Sequence, residues 1–384
     1  MRARTLKSAI FFDAYSPFHL TKDPGLIALG LNRLGCSTIL ITQSKEELRG
    51  YSAPFRVVTV EKQEFTESAF WRGIDVEAVI CYTWLAQDYN AILAAIRESG
   101  KKIAVKADSD GRFGYPIAPR NRAARLKASL VGKMWYSFFR VKGKKKQIEL
   151  ADVVLIESPK ALDNAGKFLT YWGRPDLTSK FRFVPNPVTD EISNSVIPAK
   201  QNTVISVGRW DDRSQKNTPI MLKCCESFLA EHPDWRCRIV ATLGHGKVSI
   251  EKSVSKWNSA LKERLEVLGP LDSHSEMTRL LGESRILFIP SRWEGFPIVA
   301  AEAVCMGCTI VGTPLESLLY LVADGFSGTL GQSSKFKHQM RALEFDISKH
   351  EQGDYAPGEI AGYWRPKLSV QTVASRIYEL VFDS

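Results

Sequence analysis

The sequence of 384 residues lacks any apolar run near the length of about 18 residues that spanning a bilayer requires. Its seven cysteines form no framework, because the CxxC spacing of Cys305 and Cys308 is followed by no second pair that would complete a metal site. The apolar stretch Ala9–Phe12 is too short for the core of a signal peptide. These absences predict a cytoplasmic globular protein with reduced thiols.

Acidic residues are missing from residues 111–148, which contain eleven Lys or Arg in a chain of formal net charge +10. Apolar and aromatic residues are interleaved with these cations, so a helix here would be cationic on one side and aromatic on the other. That combination suits an anionic membrane surface. The alternatives are a helix that packs its apolar side into its own domain, and a nucleic-acid contact, although no recognition motif accompanies the segment. The residues predicted to face a membrane are Arg125, Lys133, Trp135, Arg140, Lys144, Lys145 and Lys146.

Short apolar runs alternate with helical patterns along the rest of the chain. This rhythm predicts an α/β protein built from two Rossmann-like, doubly wound parallel-sheet domains that face a cleft. The polar stretch 185–202 is interpreted as the linker between them. The first domain is predicted at 1–187, including the basic segment, and the second at 188–365. Residues 366–384 should form a helix that could pack back on the first domain.

The stretch Ile286–Pro314 is the most informative part of the chain. It has the pattern of a buried strand, a loop, a helix and a second strand. Glu294 lies in the loop and Glu302 lies about one and a half turns into the helix, so the two carboxylates could bind different hydroxyls of one elongated polar ligand. The free amides of Ile298 and Val299 lie between them, where a helix N-terminus favours an anion. An ordinary helix start with a solvent-facing glutamate is the alternative.

Three segments together resemble a known family. They are Val204–Arg209 with Lys216 seven residues further on, Val267–Glu276, and Pro290–Ala303. In this order and spacing they are similar to the retaining, nucleotide-sugar-dependent glycosyltransferases of family 4, which have the GT-B fold. The resemblance is strongest over residues 180–330. The Glu-x7-Glu block, preceded by Gly-Arg and Lys, is its specific part.

The resemblance implies a role for each of these residues. Arg209 and Lys216 match the pair that holds the donor diphosphate, where charge builds up as the sugar leaves. Glu294 matches the group that holds the transferred sugar, and Glu302 matches the carboxylate that accepts from the ribose hydroxyls. Arg209, Lys216 and Glu294 are the predicted catalytic residues. No metal or other cofactor is expected. The predicted donor site comprises Gly208, Arg209, Lys216, Glu294, Gly295, Phe296, Pro297, Ile298, Val299 and Glu302.

The first domain departs from the family pattern, so the acceptor residues are less specified. The loop after the first strand lacks the usual Gly-Gly pair and contains His19. The histidine often found after the acceptor-side strand is replaced by Asp108 or Asp110. The Asp108-Ser-Asp110 motif mimics a metal-binding DxD of another glycosyltransferase fold. We do not expect a metal here, and the role that we predict is to orient or deprotonate an acceptor hydroxyl. A turn capped by Asp108 is the alternative.

These features predict a retaining glycosyltransferase, peripheral on the cytoplasmic membrane face. It would move a sugar from a nucleoside diphosphate to a hydroxyl of a lipid-linked precursor of a surface polysaccharide. One alternative is a glycosyltransferase or phosphorylase-like enzyme that uses a soluble acceptor. An alternative of another class is a non-catalytic polyanion or nucleic-acid binder on a degenerate scaffold of the same fold. The base, sugar, linkage and acceptor depend on loop shapes that the sequence does not specify.

Overall fold

A computed structural model describes residues 6–83, 85–113, 142–211 and 213–383. The chain divides into two compact units. Unit 1 combines residues 1–187 with the C-terminal residues 369–384, and unit 2 comprises residues 188–368. Each unit is built on one parallel β-sheet. Among the described residues, no helix is both long enough and apolar enough to cross a membrane.

Unit 1 contains a seven-stranded sheet in the order β3-β2-β1-β4-β5-β6-β7, with all neighbouring strands parallel. Its strands are β1 (Lys7–Phe11), β2 (Ser37–Gln43), β3 (Arg56–Val60), β4 (Ala78–Tyr82), β5 (Lys102–Lys106), β6 (Val153–Ile156) and β7 (Phe181–Phe183). Its helices are α1 (Asp23–Arg33), α2 (Ser68–Gly73), α3 (Asn90–Glu98), α4 (described from 142 to 150), α5 (Pro159–Tyr171) and, from the C-terminus, α15 (Val370–Phe382).

The C-terminal helix α15 belongs to unit 1, where it packs on α1. Gly30 allows this approach, because a Cβ there would lie only 2.6 Å from the Cβ of Ala374. The apolar side of α15, which includes Ile377 and Val381, joins the buried cluster around β1 and β4. The chain therefore passes into unit 2 at Val188 and returns to unit 1 after Leu368.

Unit 2 contains a six-stranded parallel sheet in the order β10-β9-β8-β11-β12-β13. Its strands are β8 (Gln201–Gly208), β9 (Arg236–Ala241), β10 (Leu265–Leu268), β11 (Ser284–Ile289), β12 (Thr309–Gly312) and β13 (Gly328–Leu330). Its helices are α6 (Asp190–Asn194), α7 (Thr218–Glu231), α8 (Gly244–Val254), α9 (Ser259–Lys262), α10 (His274–Glu283), α11 (Ile298–Cys305), α12 (Glu316–Leu321), α13 (Phe336–Gln352) and α14 (Pro357–Leu368).

The predicted fold class is confirmed: both units are doubly wound α/β structures with parallel sheets. The interpretation of residues 185–202 as a linker is wrong in part. Thr189 caps the short helix α6 by accepting from the Ile192 amide, and the Ile192 side chain is buried. Gln201 already belongs to β8. The polar composition of this segment therefore did not indicate that α6 packs on unit 2 through the buried side chain of Ile192.

Candidate active site

Two loops meet at the carboxyl edge of the unit 2 sheet. One follows β8, and the other follows its neighbour β11. The strand order runs outward in opposite directions from these two strands, so the switch point of the sheet lies between them. Such a switch point in a parallel sheet opens a crevice, because the loops from the two strands diverge to opposite faces. The loop after β8 carries Arg209 and Lys216, and the loop after β11 carries Glu294. The fold therefore brings the three predicted catalytic residues to one edge of one sheet.

Hydrogen bonds tie these two loops together. The amide of Arg292 donates to the carbonyl of Gln215 at 2.8 Å, and the Gln215 side chain donates to the carbonyl of Trp293 at 3.1 Å. Asn217 adds a buried anchor, since its Nδ2 donates to the carbonyls of Pro290 and Ser334, both at 3.0 Å. These bonds fix the position of the loop that carries Lys216.

Asn217 also explains how α7 begins. Its backbone is left-handed (φ 55°, ψ 39°), a conformation that asparagine tolerates better than most residues, and it is the N-cap of the helix. The sequence Thr218-Pro219 suits an N-cap followed by a first helical residue, but the helix begins one residue earlier than this pattern indicates. Thr218 is the first helical residue, and its hydroxyl donates to the carbonyl of Trp210 at 3.2 Å.

Lys216 and Glu294 form the central ion pair of the site. Lys216 Nζ lies 2.7 Å from Glu294 Oε1, and the side chains are 15% and 8% exposed. Gln215 Nε2 approaches the second oxygen, Oε2, at 3.4 Å. An ammonium has three donors, and Glu294 uses one. The pair thus places a cation and a carboxylate next to each other in a partly open environment.

Arg209 immediately follows Gly208, the last residue of β8. Its side chain is exposed and makes no hydrogen bond or ion pair with any described residue. Gly208 lies beside Lys216, since a Cβ on this glycine would be 3.5 Å from Lys216 Cδ. An exposed guanidinium and a partly covered ammonium therefore project from one loop, which suits a multiply charged anion.

Helix α11 begins directly after the Glu294 loop. Pro297 is its N-cap, although a proline in this position of the sequence also suits the first helical residue. The first helical hydrogen bond runs from the Ala300 amide to the Pro297 carbonyl at 2.9 Å, so the amides of Ile298 and Val299 precede the helical ladder. Gly295 is partly exposed, whereas Phe296 is buried in the unit 2 core. Phe296 thus anchors the loop by packing.

Glu302 is the fifth residue of α11, and its side chain is only 3% exposed. Its Oε1 atom is buried and accepts no hydrogen bond among the described residues. The imidazole of His274 lies beside it, with Nε2 3.6 Å from that oxygen and 3.0 Å from Thr189 Oγ1. A buried carboxylate oxygen without a donor is costly, so a hydrogen-bond donor brought to the Glu302 carboxylate would be favourable.

Unit 1 has its own polar group at the carboxyl edge of its sheet. Lys106 ends β5, and its completely buried ammonium contacts Glu157, which follows β6, and Asn186 Oδ1 at 2.6 Å. The second oxygen of Glu157 accepts from the Ser109 amide at 3.0 Å. Burial raises the pKa of Glu157 to about 7, although Lys106 pulls it in the opposite direction. Desolvation therefore outweighs the attraction of the ammonium.

Asp23 and Tyr82 extend this group to the switch point of unit 1, between β1 and β4. Burial raises the pKa of Asp23 to about 6, and Lys106 opposes that shift. The pKa of Tyr82 is also raised, first by burial and then by the Asp23 carboxylate. Asp108 is exposed but close enough to raise the pKa values of both Asp23 and Glu157. The predicted acceptor residue Asp108 thus borders a cluster of buried polar groups.

The other two predicted acceptor residues have different surroundings. Asp110 accepts from the Arg112 amide at 3.0 Å, and its carbonyl accepts from Asn164 Nδ2 of α5 at 2.9 Å. Asp110 therefore supports a local turn. His19 lies in a 3-10 turn, where its Nδ1 accepts from the Ser16 amide at 3.1 Å, and burial lowers the pKa of its imidazole.

Part of the predicted membrane-facing set lies on α4. Lys144 and Lys145 are partly exposed and Lys146 is exposed, whereas Gln147 and Ile148 are buried. The described part of α4 thus has a cationic side and a buried side. Four predicted residues lie outside the described residues: Arg125, Lys133, Trp135 and Arg140.

Several residues of these groups escaped the sequence interpretation. In unit 2 they are His274 and Asn217, and in unit 1 they are Lys106 and Glu157. A signal was present for two of them, because Lys106 ends a strand that is otherwise apolar at its centre and Glu157 directly follows a fully apolar one. No comparable signal marked His274, which occupies the first helical position after the N-cap Ser273.

Comparison with known proteins relates this geometry to a family. Residues 188–353 match the family described as "Glycosyl transferases group 1". An uncharacterized glycosyltransferase of Haemophilus influenzae is 24% identical over 183 residues, which are 47% of this chain and 50% of that relative. The chain thus spans about half the length of this relative. The matched family region begins at the first residue of unit 2 and contains both loops described above.

Solved structures resemble the whole chain at low identity. Sucrose-phosphate synthase from Thermosynechococcus elongatus has a TM-score of 0.71 with 15% identity and 98% coverage of both chains. The HepE protein of Anabaena, solved in complex with UDP-glucose, has a TM-score of 0.68 with 13% identity, covering 99% of this chain and 100% of HepE. Residues 188–353 thus match the glycosyltransferase group 1 family, and the chain as a whole has the two-domain GT-B fold of these solved structures.

Proposed function

We propose that this protein is a retaining glycosyltransferase that uses a nucleoside diphosphate sugar as donor. The observation that carries this proposal is the combination at one edge of the unit 2 sheet. There the Lys216–Glu294 pair lies beside exposed Arg209, and the two loops that carry these residues are bonded together. The family match of residues 188–353 and the UDP-glucose complex of HepE support it.

Arg209 and Lys216 would bind the donor diphosphate. Negative charge on the diphosphate increases as the bond to the sugar breaks, so a fixed guanidinium and ammonium stabilise the transition state more than the bound donor. The free amides of Ile298 and Val299 add positive potential at the start of α11. These groups supply enough positive charge for a mechanism without a metal ion.

Glu294 and Glu302 would hold the two ends of the donor. Glu294 would accept from hydroxyls of the transferred sugar, while its contact with Lys216 keeps that ammonium directed at the diphosphate. Glu302 would accept hydrogen bonds from the ribose hydroxyls, because its carboxylate makes no hydrogen bond with the described residues. Same-face attack by the acceptor, with the leaving diphosphate taking the proton of the attacking hydroxyl, gives retention of configuration.

The acceptor would bind along the polar edge of unit 1. Asp108 is the exposed carboxylate there, beside Asp23 and the Lys106–Glu157 pair, and can accept a hydrogen bond from a sugar hydroxyl. His19 offers its remaining ring nitrogen after the Ser16 turn. Asp110 is the weakest of the three acceptor candidates, because the local turn already uses its side chain.

A lipid-linked acceptor on the cytoplasmic membrane face follows from the basic segment. Lys144 and Lys145 are partly exposed and Lys146 is exposed on α4, within the sequence segment 111–148 that contains the other cations. Each lysine near an anionic surface contributes about 1 kcal/mol of binding. Sedimentation with vesicles containing phosphatidylglycerol at low salt should retain the protein, and the triple substitution Lys144→Gln, Lys145→Gln and Lys146→Gln should weaken retention. Equal retention of both proteins, or of neither, would favour a soluble acceptor.

The donor assignment is tested by thermal unfolding in the presence of UDP, GDP, ADP and their sugar conjugates. A ligand that binds only the folded state raises the unfolding temperature, so at least one nucleotide should do so. Lys216→Ala should remove that shift without lowering the temperature of the free protein. Release of the nucleoside diphosphate from the same conjugate measures turnover. If no nucleotide shifts the transition, the binder of another class becomes the better interpretation.

A further inference from the structure

His274 is the polar neighbour of the buried side of Glu302. Its Nε2 atom lies 3.6 Å from Glu302 Oε1, which is beyond a hydrogen bond, and that oxygen has no donor among the described residues. The same Nε2 lies 3.0 Å from Thr189 Oγ1. The imidazole is 16% exposed, so it borders the site rather than filling it.

The surrounding atoms determine which ring nitrogen carries the proton. Nε2 lies between two oxygens, the Thr189 hydroxyl and the Glu302 carboxylate. Thr189 Oγ1 also accepts from the Ile192 amide at 3.4 Å, as the N-cap of α6. A bare Nε2 would direct its lone pair at the carboxylate oxygen, which is repulsive, whereas an Nε2–H faces two acceptors. These contacts therefore favour a hydrogen on Nε2.

We propose that His274 is a positioning residue that gives the donor site its preference for ribose over deoxyribose. The Nε2–H group attracts Oε1 of Glu302 and holds the carboxylate in one orientation, so that its second oxygen remains available to ribose hydroxyls. Thr189 holds the imidazole in place. This inference rests on the proposed nucleotide donor, and it adds a specificity-determining residue outside the predicted site.

The ribose preference follows from the physics of a buried acceptor. A site built to accept from a hydroxyl discriminates strongly against an analogue that lacks it, because the acceptor is then left without a partner. That discrimination requires the carboxylate to be correctly oriented before the ligand arrives. Without His274, the Glu302 side chain can rotate. The free energy cost of ordering it then offsets part of the binding free energy of the hydrogen bond to a ribose hydroxyl.

The test measures the affinities of UDP, ADP and GDP and of their 2′-deoxy and 3′-deoxy forms by titration calorimetry. The variants are Glu302→Gln and the matched pair His274→Gln and His274→Asn. Both His274 variants carry a side-chain amide. Only the longer glutamine can place its amide N–H at the position of the His274 Nε2–H. The asparagine variant should lose about tenfold in affinity for the best ribonucleotide, the equivalent of one hydrogen bond to a charged group.

The same substitution should change the affinity for the deoxynucleotide that lacks the recognised hydroxyl by less than about twofold, because that ligand does not use the oriented oxygen. The glutamine variant should retain the ribose preference, and Glu302→Gln should lose it. Equal loss for both nucleotide forms, or identical behaviour of the two His274 variants, would overturn the role of His274 while leaving the nucleotide donor intact. Failure of the unsubstituted protein to bind any nucleotide would overturn both proposals.

Discussion

Each unit has a lysine–glutamate pair at the carboxyl edge of its sheet, and the two pairs differ in burial. Lys106 and Glu157 of unit 1 have side chains that are 0% and 2% exposed. Lys106 also donates to Asn186 Oδ1, and Glu157 also accepts from the Ser109 amide. Lys216 and Glu294 of unit 2 lie in loops and are 15% and 8% exposed. The same two residue types thus occur in a closed and in a partly open environment.

We interpret the enclosed Lys106–Glu157 pair as a support of the fold, and the partly open Lys216–Glu294 pair as part of the proposed ligand site. A fully buried pair loses the hydration of both ions, and the pKa of Glu157, about 7, shows that its desolvation is only partly offset by Lys106. Such a pair fixes the ends of β5 and β6 relative to each other. A partly open pair costs less to break than an enclosed one, and its members can exchange partners with a ligand. We therefore expect opposite responses when each lysine is removed.

The largest expected effect is on the stability of unit 1. Lys106→Met should lower the free energy of unfolding by about 3–5 kcal/mol at pH 8, since a buried carboxylate then lacks its counterion. The loss should be smaller at pH 5, where Glu157 is protonated in the folded state. Urea titrations at both pH values measure this. Glu157→Gln is the control, because it keeps an acceptor for Lys106 and should cost less. A Lys106→Met protein as stable as the parent would show that the pair does not support the fold.

The pH dependence of stability should follow from the same group. Burial raises the pKa of Glu157 to about 7 from an unfolded value of 4.5, so the folded state binds the proton more tightly. The stability from this group is complete below about pH 4.5 and is lost as the pH rises towards 7, with a maximal slope of about 1.4 kcal/mol per pH unit.

Urea unfolding at intervals from pH 4.5 to 8 should therefore show a steeper decline for the parent protein than for Glu157→Gln. Asp23, whose pKa is raised to about 6, adds a slope of the same sign that remains in this variant. Parallel curves for the two proteins would mean that Glu157 is ionised throughout the range.

Removal of the more open lysine should affect turnover instead. Lys216→Ala should lower the rate of donor cleavage about 100-fold, because in the proposed mechanism it removes one of the charged groups that stabilise the leaving diphosphate. Its free energy of unfolding should change by less than about 1 kcal/mol. Initial rates of nucleoside diphosphate release and urea unfolding of the same samples give both values. A large loss of stability with full activity would place Lys216 with Lys106 as a support of the fold.

The grouping of these residues at one edge of the unit 2 sheet was largely predictable from sequence, because the residues lie in two short segments of the chain. Glu294 and Glu302 are separated by one loop and the start of one helix, so their spacing fixes their placement. Gly208, Arg209 and Lys216 lie within one strand–loop segment. The parallel strand order then brings the two segments together, as periodicity and chain order indicate.

The remaining groups depend on contacts between distant segments. Lys106 meets Glu157 and Asn186, which are 51 and 80 residues further along the chain. Thr189 meets His274 across 85 residues. No periodicity encodes such pairs, because a charged or polar residue after a strand has the same local pattern whether it faces solvent or a partner. Asn217 was missed for a different reason, since Thr218 and Pro219 suit a helix start equally well.

The smallest expected effect concerns the anchor of the Lys216 loop. Asn217→Gly keeps the left-handed backbone but removes the two hydrogen bonds to the carbonyls of Pro290 and Ser334, so stability should fall by about 1–2 kcal/mol. Asn217→Ala should lose about 1 kcal/mol more, because a Cβ disfavours this conformation. Donor cleavage should slow only a few-fold in Asn217→Gly, since the bonds of Gln215 still hold the two loops together.

Urea unfolding and initial rates of both Asn217 variants measure this anchor. A loss of turnover in Asn217→Gly as large as in Lys216→Ala would show that Asn217 alone positions the lysine. Full retention of stability in that variant would show instead that water replaces both donated hydrogen bonds. Either outcome would sharpen the contrast between the units, because the partly open Lys216–Glu294 pair is less enclosed than the Lys106–Glu157 pair of unit 1.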